Sequence, residues 1–410
     1  MSISPAMAEA AQAHAAAASA DMLPAPLRRV ALIAGEASGD QLGASVIEGL
    51  RARHPNLEFV GMCGPRMVAA GCRALADIEE LNVMGIVEIL RHYPRLRRLR
   101  ARLTADILAL RPDVVIGIDV PDFTFWMEAR FKQSGIFAVH LVCPQVWAWR
   151  ASRIPSLAKA VDLMLTLFPF EAPFLAGHGI KASFIGHPLA DRIPAAPDRI
   201  ATRQKLGLVE SGPLVALMPG SRRQELSRHV DLFLLAAQRL QAAMPDARFV
   251  AGAVHAAAAR QILERHAALA PTLPLTVVER QASEVLIAAD TALVVSGTVS
   301  LESALCGTPA VVAYRMAALS HWWLRRLVTV AHIALPNLLL EKRLFPEFVQ
   351  NEATPEALAG ALERWLRDGP AREAARASCG QLHQQLAQQA GRSAALAIEQ
   401  GLRKRYEAGA

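Results

Sequence analysis

The sequence predicts an α/β protein made of two doubly wound, parallel-sheet domains facing a cleft. Two similar stretches carry that prediction. Arg29-Val30-Ala31-Leu32-Ile33-Ala34 is a short apolar run that breaks into Gly35-Glu36-Ala37-Ser38-Gly39-Asp40 and then enters a helix-like segment. Pro213-Leu214-Val215-Ala216-Leu217-Met218 follows the same plan through Pro219-Gly220-Ser221-Arg222. A buried strand, a tight polar turn and a helix N-terminus form an anion site, because N–H groups and the helix dipole converge there and glycine permits close approach. The length of 410 residues exceeds a comfortable single core, which makes two domains the natural division.

Further strands follow in order. Residues 57–60 read as the second strand, and residues 81–90 are apolar with little periodicity. Residues 113–119 are rich in β-branched side chains, as a buried parallel strand requires, and end in Val120-Pro121-Asp122-Phe123. Strands at 138–142, 163–167 and 182–185 close the first half. The second half repeats the alternation with strands at 248–252, 275–278, 291–295 and 309–313. The expected organisation is an Ala-rich disordered extension at 1–26, an N-terminal domain at 27–192, a Pro/Ala-rich linker at 193–209 and a C-terminal domain at 210–354. C-terminal helices at 355–410 have the N-terminal domain as a candidate packing partner.

Composition narrows the class. The five scattered cysteines show no C-x-x-C spacing, which points to a reducing compartment and away from a zinc cage. The first residues lack a basic n-region, and no apolar stretch approaches the ~20 residues of a spanning helix. The chain is therefore expected to be cytoplasmic. Net charge is +7, and Arg91, Arg95, Arg97, Arg98, Arg100 and Arg102 concentrate part of it on one amphipathic helix with Leu96, Leu99 and Leu103. Such a face is either a solvated helix surface or an attractor of anionic head groups and phosphorylated substrates. It lacks interleaved aromatics, so no nucleic-acid partner is expected.

Several residues could carry chemistry. Asp119 and Asp122 stand at the carboxyl end of a buried strand, where open α/β sheets bind ligands. Beside Phe123, Phe125 and Trp126, Asp122 is expected to be desolvated and basic enough for a general base, and Asp119 to cap the following helix. Gly220, Ser221 and Arg222 suit a diphosphate, with Arg222 neutralising a leaving group. Ser296, Gly297 and Thr298 repeat the turn, and Glu302 one helical turn later can accept both hydroxyls of a ribose. His187 lies just before the linker, as a packed histidine or a cleft residue. H-E-x-x-H, G-x-S-x-G and P-loop patterns do not occur.

These residues resemble the lipid-A-disaccharide synthases, inverting glycosyltransferases of the GT-B architecture with two Rossmann-like domains. The matching segments include Ala34 to Asp40, Asn82-Val83-Met84-Gly85, Asp119 to Phe123, Val146-Trp147-Ala148-Trp149-Arg150 and Phe184 to Leu189. They continue through Pro219 to Arg222, Ser296 to Glu302, Leu335-Pro336-Asn337 and Pro346 to Gln350. Thr124, Cys143 and Gln145 depart from the residues expected there. The resemblance implies a UDP-2,3-diacylglucosamine donor, a 2,3-diacylglucosamine 1-phosphate acceptor and no metal or other cofactor. It implies catalytic roles for Asp122, Arg222 and Asp113, the last matching an acidic position of the family at the start of its strand, and adds Asn337 and Gln350 to the donor site. Gly35, Glu36, Ser38, Gly39, Asp40, Asp119, Trp147 and His187 are then expected on the acceptor side. Acylated substrates imply peripheral contact with inner-membrane lipids from the cytoplasmic side. The candidate contacts are Val83, Met84, Ile86, Val87, Ile89 and Leu90, the arginine helix, and Trp322 and Trp323. The active form is expected as a monomer or homodimer. A UDP-sugar epimerase, a peptidoglycan glycosyltransferase and a hinged binding protein are the rival readings.

Overall fold

Short runs of Val, Ile, Leu and Ala, buried on both faces, form two all-parallel sheets. The computed structural model describes residues 26–81, 86–148, 151–316 and 331–409, with the backbone alone for 86–93, 151 and 409. The N-terminal extension, Val83, Met84, Trp322 and Trp323 thus lie outside the described residues, as do the side chains of Ile86, Val87, Ile89 and Leu90. The chain divides into two compact units, the first comprising residues 1–146, 152–185 and 389–410 and the second 147–151 and 186–388.

In the first unit the order along the chain is β1 (Arg29–Ala34), α1 (Ala37–Arg53), β2 (Glu58–Cys63), α2 (Pro65–Ala69), β3 (Cys72–Asp77), α3 (Ile86–Leu110), β4 (Val114–Ile118) and α4 (Pro121–Gln133). It continues with β5 (Phe137–Leu141), α5 (Ile154–Ala160), β6 (Leu163–Thr166), α6 (Glu171–Ala176) and β7 (Ala182–Phe184). The sheet order is β3-β2-β1-β4-β5-β6-β7. The order reverses beside β1, which pairs with both β2 and β4, and in open α/β sheets ligands bind at such a reversal, outside the strand ends. β3 was not expected from the sequence: as an edge strand it buries only Cys72 and Ala76 and carries Arg73 and Asp77 instead of forming an apolar run.

The second unit contains α7 (Pro188–Arg192), α8 (Arg199–Lys205), β8 (Leu214–Met218), α9 (Arg223–Ala243), β9 (Arg248–Ala253), α10 (Ala256–Leu269), β10 (Leu275–Glu279), α11 (Ala282–Ala288) and β11 (Thr291–Val295). After these come α12 (Thr298–Leu305), β12 (Ala310–Tyr314), α13 (Leu335–Leu339), β13 (Glu347–Val349), α14 (Pro355–Arg367) and α15 (Gly369–Leu386). Its order, β10-β9-β8-β11-β12-β13, is the same doubly wound plan. The stretch 193–209, expected as a linker, carries α8 and is tied down there. Buried Arg203 donates to the carbonyls of Ala288, Glu210 and Gly212 and pairs with Asp290 at 2.8 Å.

The last helix, α16 (Ala390–Gly409), belongs to the first unit, whereas α14 and α15 belong to the second. It packs on α1 at a glycine-to-glycine crossing, where a Cβ on Gly49 would stand 2.1 Å from the Gly391 carbonyl oxygen. Glu399 secures the crossing through Arg53 at 2.7 Å and His54 at 2.8 Å. Among the described residues no helix is long and apolar enough to cross a membrane.

Candidate functional site

In the second unit a cavity of about 440 Å³ opens beside the ends of β8 and β11. Met218, Gly220, Ser221, Arg222 and Glu225 form one side, and Ser296, Gly297, Thr298 and Glu302 form the other. The structure therefore brings together the two polar turns that the sequence singles out. Gly220 has φ +114°, and a Cβ there would lie 2.7 Å from Glu225 Oε2, so only glycine fits.

The N–H groups of that turn already hold an anion. Glu225 Oε2 accepts from the backbone N–H of Ser221 at 3.0 Å and of Arg222 at 3.2 Å. Its other oxygen lies 3.6 Å from Arg222 Nη1, while the Arg222 side chain is otherwise largely exposed. Sequence reasoning missed Glu225, although its place three residues after Arg222 is the reciprocal position of a capping box. His229 braces the same turn: its ring lies 2.8 Å from the Glu225 carbonyl and accepts the Arg315 N–H at 2.9 Å. Burial pushes the His229 pKa down, which favours the neutral ring that this arrangement needs.

On the facing turn, Ser296 Oγ donates to the Ile333 carbonyl at 2.8 Å, so its hydroxyl is engaged within the loop. Gly297, at φ +136°, leaves open space where a side chain would stand. Glu302 accepts a 2.5 Å hydrogen bond from Ser283. The expected two-oxygen grasp of a ribose thus has one oxygen already engaged, by a serine that no sequence signal revealed. Burial raises the Glu302 pKa, and the Ser283 hydroxyl and the Arg192 charge partly oppose that rise.

Asn337 and Gln350, expected in the donor site, both have their amides engaged within the fold. Asn337 is fully buried, donates to the Phe345 carbonyl at 2.7 Å and to Glu347 at 2.9 Å, and accepts the Phe345 N–H at 2.8 Å. The Gln350 amide pairs with both the N–H and the carbonyl of Met316, each at 3.2 Å. Both amides are spent on loop architecture. Trp147 and His187, expected on the acceptor side, fall in the second unit. His187 Nδ1 accepts the Leu189 N–H at 3.2 Å and caps α7. Burial, with the nearby Arg192 charge, pushes the His187 pKa down to about 4, so the ring is neutral at physiological pH.

In the first unit the ends of β1 and β4 are neighbours, with Ala34 opposite Ile118. Glu36 and Ser38 stand exposed beyond β1, with Ser38 Oγ 2.5 Å from Glu36 Oε1. Gly39 is buried in the first turn of α1. Gly35 must be glycine, because a Cβ would come within 2.2 Å of the Val120 side chain. Asp119 and Val120 both adopt left-handed backbone, at φ 53° and 46°. For a β-branched residue this is strained, and Thr124 Oγ1 braces the turn by donating toward the carbonyls of Asp119 and Val120. The N-cap of α4 is Val120, not Asp119, whose carboxylate instead accepts the Val120 N–H at 2.8 Å.

The turn delivers Asp122 to the first turn of α4, where the helix dipole favours a carboxylate. The desolvated setting expected for Asp122 is not found. Its side chain is 77% exposed and pairs with Arg153 at 2.8 Å, because Phe123 turns into the core and Phe125 packs against the His140 ring at a tilt. Arg153, like Glu225 and Ser283, is a residue that the sequence did not reveal. Two further candidates, Asp40 and Asp113, hold backbone N–H groups. The Asp40 carboxylate is buried and accepts the N–H groups of Gly64, Arg66 and Met67 at 2.8, 2.8 and 3.0 Å. Asp113 accepts from the backbone N–H groups of Arg28 and Arg29 at 2.7 and 2.9 Å, at the opposite end of β4 from Asp122.

Comparison with known proteins fits this arrangement. A family model described as lipid-A-disaccharide synthetase matches residues 30–400. The chain is 50% identical over 341 residues to the lipid-A-disaccharide synthase of Pseudomonas paraeruginosa, covering 83% of this chain and 90% of that protein. It is 46% identical over 372 residues to that of Alkalilimnicola ehrlichii, covering 90% and 97%. Among solved structures it resembles a UDP-GlcNAc 2-epimerase of Neisseria meningitidis bound to UDP-GlcNAc, with TM-score 0.57, 12% identity and 91% and 98% coverage. It also resembles a glycosyltransferase of Rickettsia africae, with TM-score 0.52, 12% identity and 93% and 97% coverage. At such identities the structural likeness is one of fold, and it agrees with the GT-B class expected from the sequence. By the extent and identity of these matches, the chain belongs to the lipid-A-disaccharide synthetase family.

Proposed function

We propose that the chain transfers 2,3-diacylglucosamine from UDP-2,3-diacylglucosamine to the 6-hydroxyl of 2,3-diacylglucosamine 1-phosphate. The products are UDP and a β-1,6-linked disaccharide 1-phosphate, a precursor of lipid A. The observation that carries this reading is the second-unit cavity, where Gly220, Ser221 and Arg222 face Glu302 in a protein of this family.

In the proposed step Asp122 takes the proton from the acceptor 6-hydroxyl as that oxygen attacks the anomeric carbon of the donor. The bond from the anomeric carbon to the diphosphate oxygen breaks, and its electron pair leaves on UDP. In-line attack inverts the configuration. Arg222 and the N–H groups around Ser221 and Thr298 stabilise the developing charge, and positioning contributes much of the rate. Glu302 accepts from the ribose. Glu225 yields the Ser221 and Arg222 N–H groups to the diphosphate when the donor binds.

Both substrates carry acyl chains, so the protein is placed peripherally on the cytoplasmic face of the inner membrane, held in part by the basic face of α3. Incubation with both lipid substrates, followed by mass spectrometry, tests the reaction. Equimolar UDP and disaccharide 1-phosphate are expected only when both lipids are present. UDP formed equally without acceptor, or no product at all, contradicts the proposal. For the membrane, binding to anionic vesicles that weakens with salt is expected, and indifference to such vesicles at low ionic strength contradicts it.

A further inference from the structure

Helix α3 carries arginines on two sides, and they serve different ends. Arg100 lies over the Trp126 ring at 4.4 Å, with Arg130 on the same ring at 4.2 Å, which fixes α3 against α4 one turn beyond Asp122. Arg95, Arg98 and Arg102, spaced i, i+3 and i+7, line a separate hollow of about 350 Å³ with Leu99 and Glu80. Leu99 is buried and forms an apolar side of the hollow, whereas the three arginines are exposed. The Glu80 carboxylate reaches Arg102 at 3.5 Å, and Arg98 Nε reaches the Pro94 carbonyl at 3.4 Å.

Three guanidinium groups against one carboxylate leave a formal +2 in the hollow. That matches a phosphate monoester, which carries about −1.5 to −2 at neutral pH, better than a singly charged diester. Guanidinium groups also bind phosphate through paired N–H donors. The same helix begins with Ile86-Val87-Glu88-Ile89-Leu90, so its sequence sets an apolar stretch one to two turns before the arginines. A phosphate site next to an apolar stretch suits an amphiphile. We propose that Arg95, Arg98 and Arg102 form a discrete binding site for the phosphate monoester of an acylated amphiphile. This extends the reading of the chain as an enzyme of acylated sugars, but its test does not depend on turnover.

The test measures sedimentation of the whole chain with phosphatidylcholine vesicles doped to equal surface charge with phosphatidic acid, a monoester, or phosphatidylglycerol, a diester. The wild-type chain should bind the monoester vesicles more tightly. Combined Arg95→Gln, Arg98→Gln and Arg102→Gln should reduce monoester binding about tenfold or more and remove the preference, with a smaller loss on the diester, which the general positive charge of α3 also attracts. Glu80→Gln, which removes the opposing charge, should tighten monoester binding several-fold. An unchanged unfolding midpoint in the triple variant shows that the fold is intact. Equal binding of the two vesicle types by the wild type, an equal loss on both types in the triple variant, or weakened binding in Glu80→Gln overturns the site. A second arm identifies the ligand: a raised KM for 2,3-diacylglucosamine 1-phosphate in the triple variant, with donor KM unchanged, makes it the acceptor phosphate, and an unchanged acceptor KM makes it a bilayer headgroup. If the wild-type chain shows no transfer while the vesicle preference holds, the proposed reaction fails and the phosphate site stands.

Discussion

Glu225 holds the Ser221 backbone N–H at 3.0 Å, so a carboxylate of the chain itself occupies the turn proposed for the donor diphosphate. Replacing it with glutamine removes the negative charge and keeps an acceptor for the amides. Glu225→Gln is expected to bind UDP several-fold more tightly, by calorimetry, at a cost of about 1 kcal/mol in stability from the weakened cap. Weaker UDP binding would mean that the charge shapes the turn and does not compete for it.

Glu302 links ligand binding to stability. Burial raises its pKa, so between the ordinary value of 4.5 and the raised one the native state binds more protons than the unfolded chain. Stability therefore falls as pH rises through that interval, and the loss persists above it. Glu302→Gln should raise the unfolding midpoint at pH 7 to 8, with the gap closing as the pH is lowered below 4.5. The same change should weaken UDP binding at neutral pH about tenfold. A variant that gains no stability at neutral pH, or keeps full UDP affinity, contradicts this account.

Arg153 orients the Asp122 carboxylate through their 2.8 Å ion pair. Exposed pairs contribute little to stability, so Arg153→Gln should leave the unfolding midpoint nearly unchanged. Turnover is expected to drop about tenfold with UDP affinity intact, since a misoriented base loses proton-transfer efficiency. Normal turnover would reduce the pair to a surface contact.

The crossing of α1 and α16 depends on missing side chains. A Cβ on Gly391 would lie 2.2 Å from the Ser45 carbonyl oxygen, which is backbone and cannot step aside. Gly391→Ala should therefore destabilise the first unit by about 1–3 kcal/mol, read from urea unfolding. UDP affinity, proposed to rest on the second unit, should be unchanged.

The sheets were legible because parallel strands buried on both faces are continuous apolar runs, as at Val114 to Ile118 and Leu214 to Met218. The edge strand at Cys72 lacks that signature. The two turns around Gly220 and Gly297 were legible because glycine and hydroxyl residues after such runs have few other uses. What a polar side chain bonds to was not legible. Asp40 and Asn337 read as ligands and Asp113 as catalytic, and the structure shows each bonded to backbone N–H or carbonyl groups inside the fold. Asp122 read as desolvated because its neighbours in sequence are aromatic. On a helix those neighbours point elsewhere, and Asp122 faces solvent and Arg153.

The most direct test compares Asp122→Ala with the unaltered chain in one experiment, pairing acceptor-dependent UDP release with calorimetric UDP binding. Asp122 as the base predicts turnover lower by roughly 10²–10⁴ with UDP affinity retained. Near-normal turnover in the variant would contradict it, and a parallel loss of UDP binding would make Asp122 a structural residue instead.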